Sequence, residues 1–311
     1  MSSGAALGPG PEFDLIRALL ARWGDHARGI GDDAALVDVP DGERLVVSTD
    51  TSVENVHFRR EWITPREIGY RATAAALSDL AACAAAPLGV LVVLALPKSW
   101  LPHALELGDG IGDAVRECGT HVIGGDMSGA SELAITVTVL GHAAAPVRRD
   151  SAHAGDQLYL TGRLGGPLAA IRAWERGEAP AAEARARFAH PEPRLREARW
   201  LAEHGAHAAI DISDGLLGDA AHLAHASEMR AIVELDSVRT IAGVSLTDAA
   251  HSGEEYELLV AAPPHLDVSA FERAFQLPLT PVGRLERGPA EVQAMLHGRR
   301  VAASGGFSHF S

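Results

Sequence analysis

The chain has 311 residues, and 47% of them are apolar, which is enough for two domains or one large domain with a sizeable core. Its formal net charge of −14 argues against nucleic acid as a partner, because a strongly acidic protein repels a phosphate backbone. Its two cysteines, the lack of a signal-peptide pattern and the lack of a bilayer-spanning apolar run predict a cytoplasmic protein with reduced thiols and no membrane partner.

The first half of the chain predicts a domain over residues 12–145. Residues 1–11 are rich in Gly, Pro, Ala and Ser, and we expect them to be disordered. Helical periodicity runs from Phe13 to Trp23. Apolar strands are predicted at 45–48, 88–96, 121–123 and 132–143, and helices are predicted at 65–86 and 101–118.

The second half predicts a domain over residues 146–311, after a boundary at Ala144-Ala145-Pro146. The Ala/Glu/Arg-rich segment 177–190 is typical of a solvated helix or a mobile stretch. Strands are predicted at 156–161, 207–210, 230–235, 258–262, 279–285 and 292–296. One helix is predicted to end near residue 174, and further helices are predicted at 193–204, 216–227 and 264–275.

Two familiar nucleotide-binding patterns are excluded. Lys98 is the only lysine, and no Gly-x-x-x-x-Gly-Lys-Ser/Thr segment exists, so the chain has no P-loop. The segment Gly108–Gly112 superficially matches a dinucleotide loop. Because it lies within an amphipathic helical pattern and no strand directly precedes it, we interpret it as part of a helix.

The segment Ile210-Asp211-Ile212-Ser213-Asp214-Gly215 places two acids at the end of an apolar strand. Two aspartates two residues apart on an extended backbone point the same way, which is unfavourable unless a cation lies between them. The alternative is that Ser213 or Asp214 caps the following helix. Asp219, one helical turn further on, would join this acidic group or face solvent.

Four further acids follow the same logic. Asp33 lies in the loop Gly29-Ile30-Gly31-Asp32-Asp33, Asp50 and Asp126 follow short apolar strands, and Asp79 lies in an alanine-rich helix. A solvated turn is the alternative for Asp33, and a cap or surface position is the alternative for Asp79. An acid buried in an apolar helix needs a partner, and we therefore favour a metal role for Asp79.

These acids together favour magnesium chemistry. Carboxylates in such number cannot pack together without cations, and hard oxygen ligands favour Mg²⁺, which also binds substrate phosphates. The pattern therefore predicts phosphoryl transfer, with ATP and several Mg²⁺ ions, by an enzyme without a P-loop. The acids are Asp33, Asp50, Asp79, Asp126, Asp211 and Asp214.

An ordered set of motifs across residues 12–310 resembles the thiamine-monophosphate kinase family, of the aminoimidazole-ribonucleotide-synthetase-like superfamily. The motifs are Glu12-Phe13, Gly31-Asp32-Asp33, Ser48-Thr49-Asp50-Thr51, His57-Phe58, Leu77-Ser78-Asp79-Leu80-Ala81, Gly124-Gly125-Asp126, Asp211-Ile212-Ser213-Asp214-Gly215-Leu216 and Gly253-Glu254-Glu255-Tyr256-Glu257-Leu258. The resemblance implies a two-domain α/β (α+β) fold of that superfamily and a homodimer whose N-terminal sheets pair. It also implies conversion of ATP and thiamine monophosphate to ADP and thiamine diphosphate.

The resemblance also implies residue roles, carried over position by position. Gly125, Asp126, Arg149 and Ser213 match positions that contact ATP, and His57, Glu254 and Ser304 match positions that contact the thiamine substrate. The positions that match Mg²⁺ ligands are Asp33, Ser48, Thr49, Asp50, Asp79, Asp126, Asp211 and Asp214. No residue is assigned as a general base.

Three positions depart from the family pattern. Met127 follows Gly-Gly-Asp where the family usually has Thr, and Glu255 replaces the usual Asp. Ser304 stands where the family usually has a Trp that stacks on the substrate, with Phe307 close by.

Two alternative functions are compatible with the same acidic residues. A purine-biosynthesis ligase of the same superfamily and a catalytically silent nucleotide-binding protein are the alternatives. Selenophosphate synthesis and carbamoyl dehydration are disfavoured, because each would require a reactive cysteine near a terminus, and Cys83 and Cys118 lie elsewhere.

Overall fold

The computed structural model describes residues 10–31 and 33–302. The chain forms two compact units: the first runs to Leu80 and includes Ala85–Ala145, and the second contains Ala81–Ala84 and continues from Pro146. Each unit is built on a mixed β-sheet with helices, in agreement with the predicted α/β (α+β) class. Residues 1–9, Asp32, Ser304 and Phe307 lie outside the described residues.

The first unit contains one four-stranded sheet, in the order β1-β4-β2-β3. Strands β2 and β3 are parallel, and the β1–β4 and β2–β4 pairs are antiparallel. The elements are α1 (Pro11–Trp23), β1 (Arg44–Val53), α2 (Pro65–Ala82), β2 (Ala86–Leu96), α3 (Ala104–Glu117), β3 (Val122–Gly129) and β4 (Ala134–Ala143).

Two of the predicted strand ends in this unit are wrong. Strand β1 continues through Asp50, which pairs with Val137, and β3 continues through Asp126, which pairs with Val93. The hydropathy pattern ends where the side chains become polar, whereas the strand continues as long as a neighbouring strand supplies hydrogen-bond partners. Both acids therefore project from within the sheet rather than from loops after it.

The glycines of α3 confirm that Gly108–Gly112 is helical. A Cβ atom on Gly110 would overlap the carbonyl oxygen of Arg66 on α2, and one on Gly108 would overlap the side chain of Leu19 on α1. These glycines allow the helices to approach at backbone distance, which explains a pattern that only superficially matches a dinucleotide loop.

The second unit contains a seven-stranded sheet in the order β11-β10-β7-β9-β5-β8-β6. Strands β5 and β6 both pair antiparallel with β8, which lies between them, so they run in the same direction. The elements are β5 (Gln157–Thr161), α4 (Gly166–Glu175), α5 (Ala182–Ala189), α6 (Leu195–Glu203), β6 (Ala208–Asp211), α7 (Leu216–Ala226), β7 (Arg230–Glu234), α8 (Leu246–Ala250), β8 (Leu258–Ala262), α9 (Val268–Phe275), β9 (Leu279–Glu286), β10 (Glu291–Leu296) and β11 (Arg299–Val301).

Two helices differ from the predictions in this unit. The segment predicted to be a solvated face contains α5, which buries Phe188 against the ring of Trp174 at a centroid distance of 5.1 Å. Helix α9 begins only at Val268, because the Asp267 side chain accepts a hydrogen bond from the Ala270 N–H and caps the helix there. None of the helices within 10–31 and 33–302 combines the length and hydropathy that a bilayer crossing requires.

Candidate active site

Ser48 and Asp79 form a direct contact in the first unit. The Ser48 hydroxyl on β1 donates a hydrogen bond to Asp79 Oδ2 on α2 at 2.5 Å. This contact supplies a partner for the acid that the sequence placed in an apolar, alanine-rich helix. Asp50 projects from the same face of β1 as Ser48, because side chains two residues apart share a face.

Thr49 lies on the opposite face of the strand. Its hydroxyl lies 3.0 Å from the hydroxyl of Thr138 on β4, and Thr51 makes the same contact with Thr136 at 2.9 Å. The structure therefore brings Ser48 and Asp79 together but directs the Thr49 hydroxyl away from them.

A cavity of about 450 Å³ opens between α1 and the strands β2 and β3. Phe13, Ile16 and Leu20 supply an apolar wall, while Asp33 and Asp126 supply carboxylates. A volume of a few hundred Å³ with few polar groups is typical of a small-molecule site. Met127, one of the departures from the family pattern, also lines this cavity.

Gly125 can be nothing but glycine at the wall of this cavity. Its φ is +155°, and a Cβ atom there would overlap the carbonyl oxygen of Val92 on the neighbouring strand. The strand pair is therefore close enough for main-chain groups to line the cavity beside Asp126.

The β6–α7 turn gathers three acids in the second unit. Asp211 is buried at the end of β6, and the Asp219 side chain accepts hydrogen bonds from the N–H groups of Ser213 and Asp214, each at 3.1 Å. Burial, followed by the charges of Asp211 and Asp214, raises the pKa of Asp219 to about 8. Asp219 thus belongs to the acidic group and does not face solvent.

The helix-cap interpretation of Ser213 and Asp214 is wrong, because α7 starts after Gly215 without a side-chain cap. Among the described residues, ligand atoms of Asp214, Asp219 and His222 lie within 4.8 Å of one another. His222 was missed by the sequence argument. Its only signal in the sequence was its spacing of three residues from Asp219, which places both side chains on the same side of α7.

Glu254 is held beside Ser213 by a strained turn. Its N–H donates to the Ser213 carbonyl at 2.7 Å, and the N–H groups of Glu255 and Tyr256 donate to the Ile212 carbonyl. Glu254 and Tyr256 have φ values of 57° and 54°, an unfavourable region for side chains with a Cβ atom. Such strain is concentrated at functional sites.

A buried ionic cluster adjoins this turn. It consists of Glu255, Glu257, Arg187 and Arg194. Glu257 accepts hydrogen bonds from Arg194 Nε at 2.9 Å and Nη2 at 2.7 Å, from Arg187 Nη2 at 2.9 Å and from Thr161 Oγ1 at 2.7 Å. Burial alone would raise the pKa of Glu257, but the charge and hydrogen bonds of Arg194, aided by Arg187 and Thr161, hold it at about 2.

The pKa of Glu255, in the same cluster, is raised, whereas that of Glu257 is lowered. Glu255 accepts a hydrogen bond from the Gly165 N–H and lies 3.4 Å from Arg187 Nη2. Burial raises the pKa of its carboxyl to about 7 despite the charge of Arg187. The folded protein therefore holds a proton on Glu255 more tightly than the unfolded chain does.

Replacing Glu255 with Gln is expected to remove one pH dependence of stability. The raised pKa stabilises the fold below about 4.5, and this contribution is lost as the pH rises through about 7. Between these limits the wild type should lose about 3 kcal/mol relative to E255Q. Urea unfolding of both proteins across this range tests it. The exposed control E203Q should follow the wild type, and parallel profiles for E255Q and wild type would contradict the expectation.

Arg149 and His57 are the remaining predicted contacts. Ser227 Oγ donates to the Arg149 carbonyl at 2.6 Å, which anchors the main chain while the side chain stays exposed. His57 Nδ1 accepts the Val53 N–H at 3.0 Å, so a neutral ring carries its proton on Nε2. The structure thus orients the imidazole, and Ser304 lies outside the described residues.

Both halves of the chain are similar to known proteins. Residues 31–143 match the family model described as AIR synthase related protein, N-terminal domain, and residues 153–294 match the corresponding C-terminal domain. A thiamine-monophosphate kinase of Mycobacterium tuberculosis (strain CDC 1551 / Oshkosh) is 34% identical over 271 residues, which cover 85% of this chain and 80% of that protein.

Two solved structures are also similar. The thiamine-monophosphate kinase of Stenotrophomonas maltophilia K279a has a TM-score of 0.80 and 33% identity, covering 94% of this chain and 98% of that one. The structure of AaThiL complexed with AMPPCP and TMP has a TM-score of 0.76 and 26% identity, covering 96% of each chain.

Proposed function

Since this chain belongs to the thiamine-monophosphate kinase family of AIR synthase related proteins, we propose that it transfers the γ-phosphoryl group of ATP to thiamine monophosphate. The products are ADP and thiamine diphosphate. The observation that carries the proposal is the cavity with Asp33 and Asp126 at its wall, which combines room for a nucleoside with carboxylates for cation-bound phosphates. We place the enzyme in the cytoplasm.

The donor set fits Mg²⁺. In the first unit, Mg²⁺ would be held by oxygen atoms alone, without nitrogen or sulfur ligands, and the residues that would supply them are Asp33, Ser48, Asp50, Asp79 and Asp126. In the second unit, burial raises the pKa of Asp219, and the negative charges of Asp211 and Asp214 raise it further. A divalent cation beside the three carboxylates would relieve their repulsion. When bound, Mg²⁺ would neutralise phosphate charge in the transfer. Thr49 is omitted as a side-chain ligand because its hydroxyl faces Thr138.

The protein's own residues bind and orient the two substrates. The apolar wall formed by Phe13, Ile16 and Leu20 suits a nucleoside, and the main chain at Gly125 approaches it without a side chain in the way. Arg149 and Ser213 contact ATP in this proposal, while His57 and Glu254 position thiamine monophosphate. The strained turn at Glu254 holds that carboxylate in one place.

The chemistry requires no general base. The acceptor is a phosphate monoester whose second pKa is about 6, so most of it carries a nucleophilic oxyanion at neutral pH. Charge neutralisation and in-line alignment then supply most of the rate enhancement. The phosphoryl group passes directly from ATP to the acceptor, without a phosphoenzyme.

Incubation with γ-labelled ATP and Mg²⁺ tests the proposal. Label should enter thiamine diphosphate when thiamine monophosphate is present, and the protein should remain unlabelled when ATP is supplied alone. Labelled protein would contradict direct transfer. If the rate of ADP release does not depend on thiamine monophosphate, the kinase activity itself is contradicted and the ligase alternative is favoured.

Replacing His57 with Asn should separate the two substrates kinetically. Asn can still accept the Val53 N–H in place of Nδ1, so the loop stays anchored, but the Nε2 donor is lost. Loss of one hydrogen bond to a charged group is expected to raise the KM for thiamine monophosphate about tenfold. The KM for ATP serves as the internal control, and equal changes in both would contradict a role in acceptor binding.

We further propose that the enzyme is a homodimer that pairs through the first unit's sheet. One face of this sheet carries open apolar side chains beside its paired threonines: Leu45 and Val47 on β1 are 50% and 54% exposed, and Leu91, Val93 and Leu140 are only partly buried. A group of open apolar side chains on a sheet face is typical of an interaction surface.

Sedimentation at micromolar concentration should therefore show a dimer. Val47→Glu places a charge on the open face and should shift the protein towards monomer. Leu101→Glu is the matched control, because Leu101 is 52% exposed but lies outside the sheet. A wild-type monomer with full activity would contradict the proposed assembly.

A further inference from the structure

Three side chains of the second unit converge where the chain enters β5 and β6. His207 Nδ1 lies 3.0 Å from both carboxylate oxygens of Asp156 and 3.1 Å from His153 Nδ1. All three ligand atoms lie within 4.8 Å of one another. We propose that His153, Asp156 and His207 form a binding site for a zinc-like transition-metal ion.

The separations of the His207 ring nitrogen from the other two ligand groups are near those around a tetrahedral ion. Ligand distances of about 2.0–2.2 Å in a tetrahedral zinc site place neighbouring ligand atoms about 3.3–3.6 Å apart. The separations of 3.0 and 3.1 Å are slightly shorter than this. A small outward movement of each side chain would admit the ion.

Hydrogen bonds alone cannot satisfy all the contacts within this cluster. The Nδ1 atom of His207 carries either one proton or one lone pair, yet it faces both Asp156 oxygens and a second ring nitrogen. A cation between the three groups would accept a lone pair from each of them. Two imidazoles and one carboxylate favour zinc or a similar ion over Mg²⁺, which prefers oxygen ligands.

The main chain holds the three residues in place. The His207 N–H donates to the Ala261 carbonyl at 2.9 Å, and the Leu285 N–H donates to the Asp156 carbonyl at 2.8 Å. The His153 N–H donates to Asp156 Oδ2 at 2.7 Å, which fixes the carboxylate in the turn before β5. Asp156 is buried and His153 is exposed, so an ion can enter from solvent and keep a water as its fourth ligand.

The site is distinct from the acids of the β6–α7 turn. His207 precedes β6, whereas Asp211 ends it, and four residues of extended chain span about 13 Å. An ion here would link the turn before β5 to the start of β6, which are separated by 54 residues in the chain. Its role would be to stabilise the second unit.

Cobalt(II), whose visible absorption reports tetrahedral coordination, is the probe for this site. Full-length protein treated with a chelator and dialysed is titrated with Co²⁺ and then with Zn²⁺ as competitor. The wild type should show a tetrahedral band that Zn²⁺ removes, and Zn²⁺ alone should raise its thermal midpoint. His153→Ala, at an exposed position, should lose the band or weaken Co²⁺ binding at least tenfold.

Two matched variants separate the outcomes. His225→Ala, an exposed histidine on α7, should behave as wild type, and so should His222→Ala, which removes a ligand from the Asp214–Asp219–His222 group. The proposal is overturned if His153→Ala binds Co²⁺ as the wild type does, or if His222→Ala abolishes the band.

Discussion

Replacing Asp126 with Asn is expected to lower kcat by about 100- to 1000-fold, the usual effect of losing one electrostatic contact at a reacting phosphate. Asp126 lines the cavity beside Gly125 and is exposed, so the amide removes a negative ligand without disturbing the core. Raising the Mg²⁺ concentration should restore part of the activity, because the amide oxygen remains a weak ligand. Steady-state kinetics across a Mg²⁺ titration measures both effects.

The control for this variant is Asp41→Asn, an exposed carboxylate in the turn before β1. It should leave kcat and the Mg²⁺ dependence unchanged. Unfolding midpoints of the two variants should match that of the wild type, which confines the effect of D126N to the reaction. Near-normal turnover of D126N would show that Asp126 does not hold the metal.

Replacing Arg194 with Met is expected to reduce the free energy of unfolding by about 3–5 kcal/mol, because it breaks a buried ion pair from one side. The Arg194 side chain is 10% exposed and that of Glu257 is 1% exposed, and the guanidinium donates two hydrogen bonds to the carboxylate. Arg187 and Thr161 alone would then have to satisfy a carboxylate that burial strongly disfavours. Urea denaturation at pH 7 measures the loss.

Two further variants test the cause of that loss. Arg196→Ala, at an exposed position two residues away, should change stability by no more than about 0.5 kcal/mol. The double variant Arg194→Met with Glu257→Met should be more stable than R194M alone, since it also removes the uncompensated charge. An R194M protein as stable as R196A would show that the buried pair contributes little.

Local sequence patterns predicted the features that depend mainly on neighbouring residues. Alternation and apolar runs located most strands and helices, and the glycine-rich stretch of α3 was correctly excluded as a dinucleotide loop. The position of Asp211 at the end of a buried strand was also visible, because burial of β6 on both faces leaves a continuous apolar run.

The ends of the strands and the directions of their side chains could be assigned only from the pairing of strands in the sheet. Asp50 and Asp126 lie within strands because β4 and β2 supply their hydrogen-bond partners, which hydropathy cannot report. The opposite directions of Ser48 and Thr49 follow from the same strand, since successive residues face opposite sides.

The sequence by itself determined the two sheet-containing halves, the acidic positions and the resemblance that identifies the family, because each is encoded in neighbouring residues. Only the tertiary structure decided which distant charges meet. Arg194 and Glu257 are 63 residues apart, and His153 and His207 are 54 apart, so their pairing depends on strand order. Burial of Asp219 and Glu255, and hence the rise in each pKa, likewise exists only once the surrounding elements exclude water.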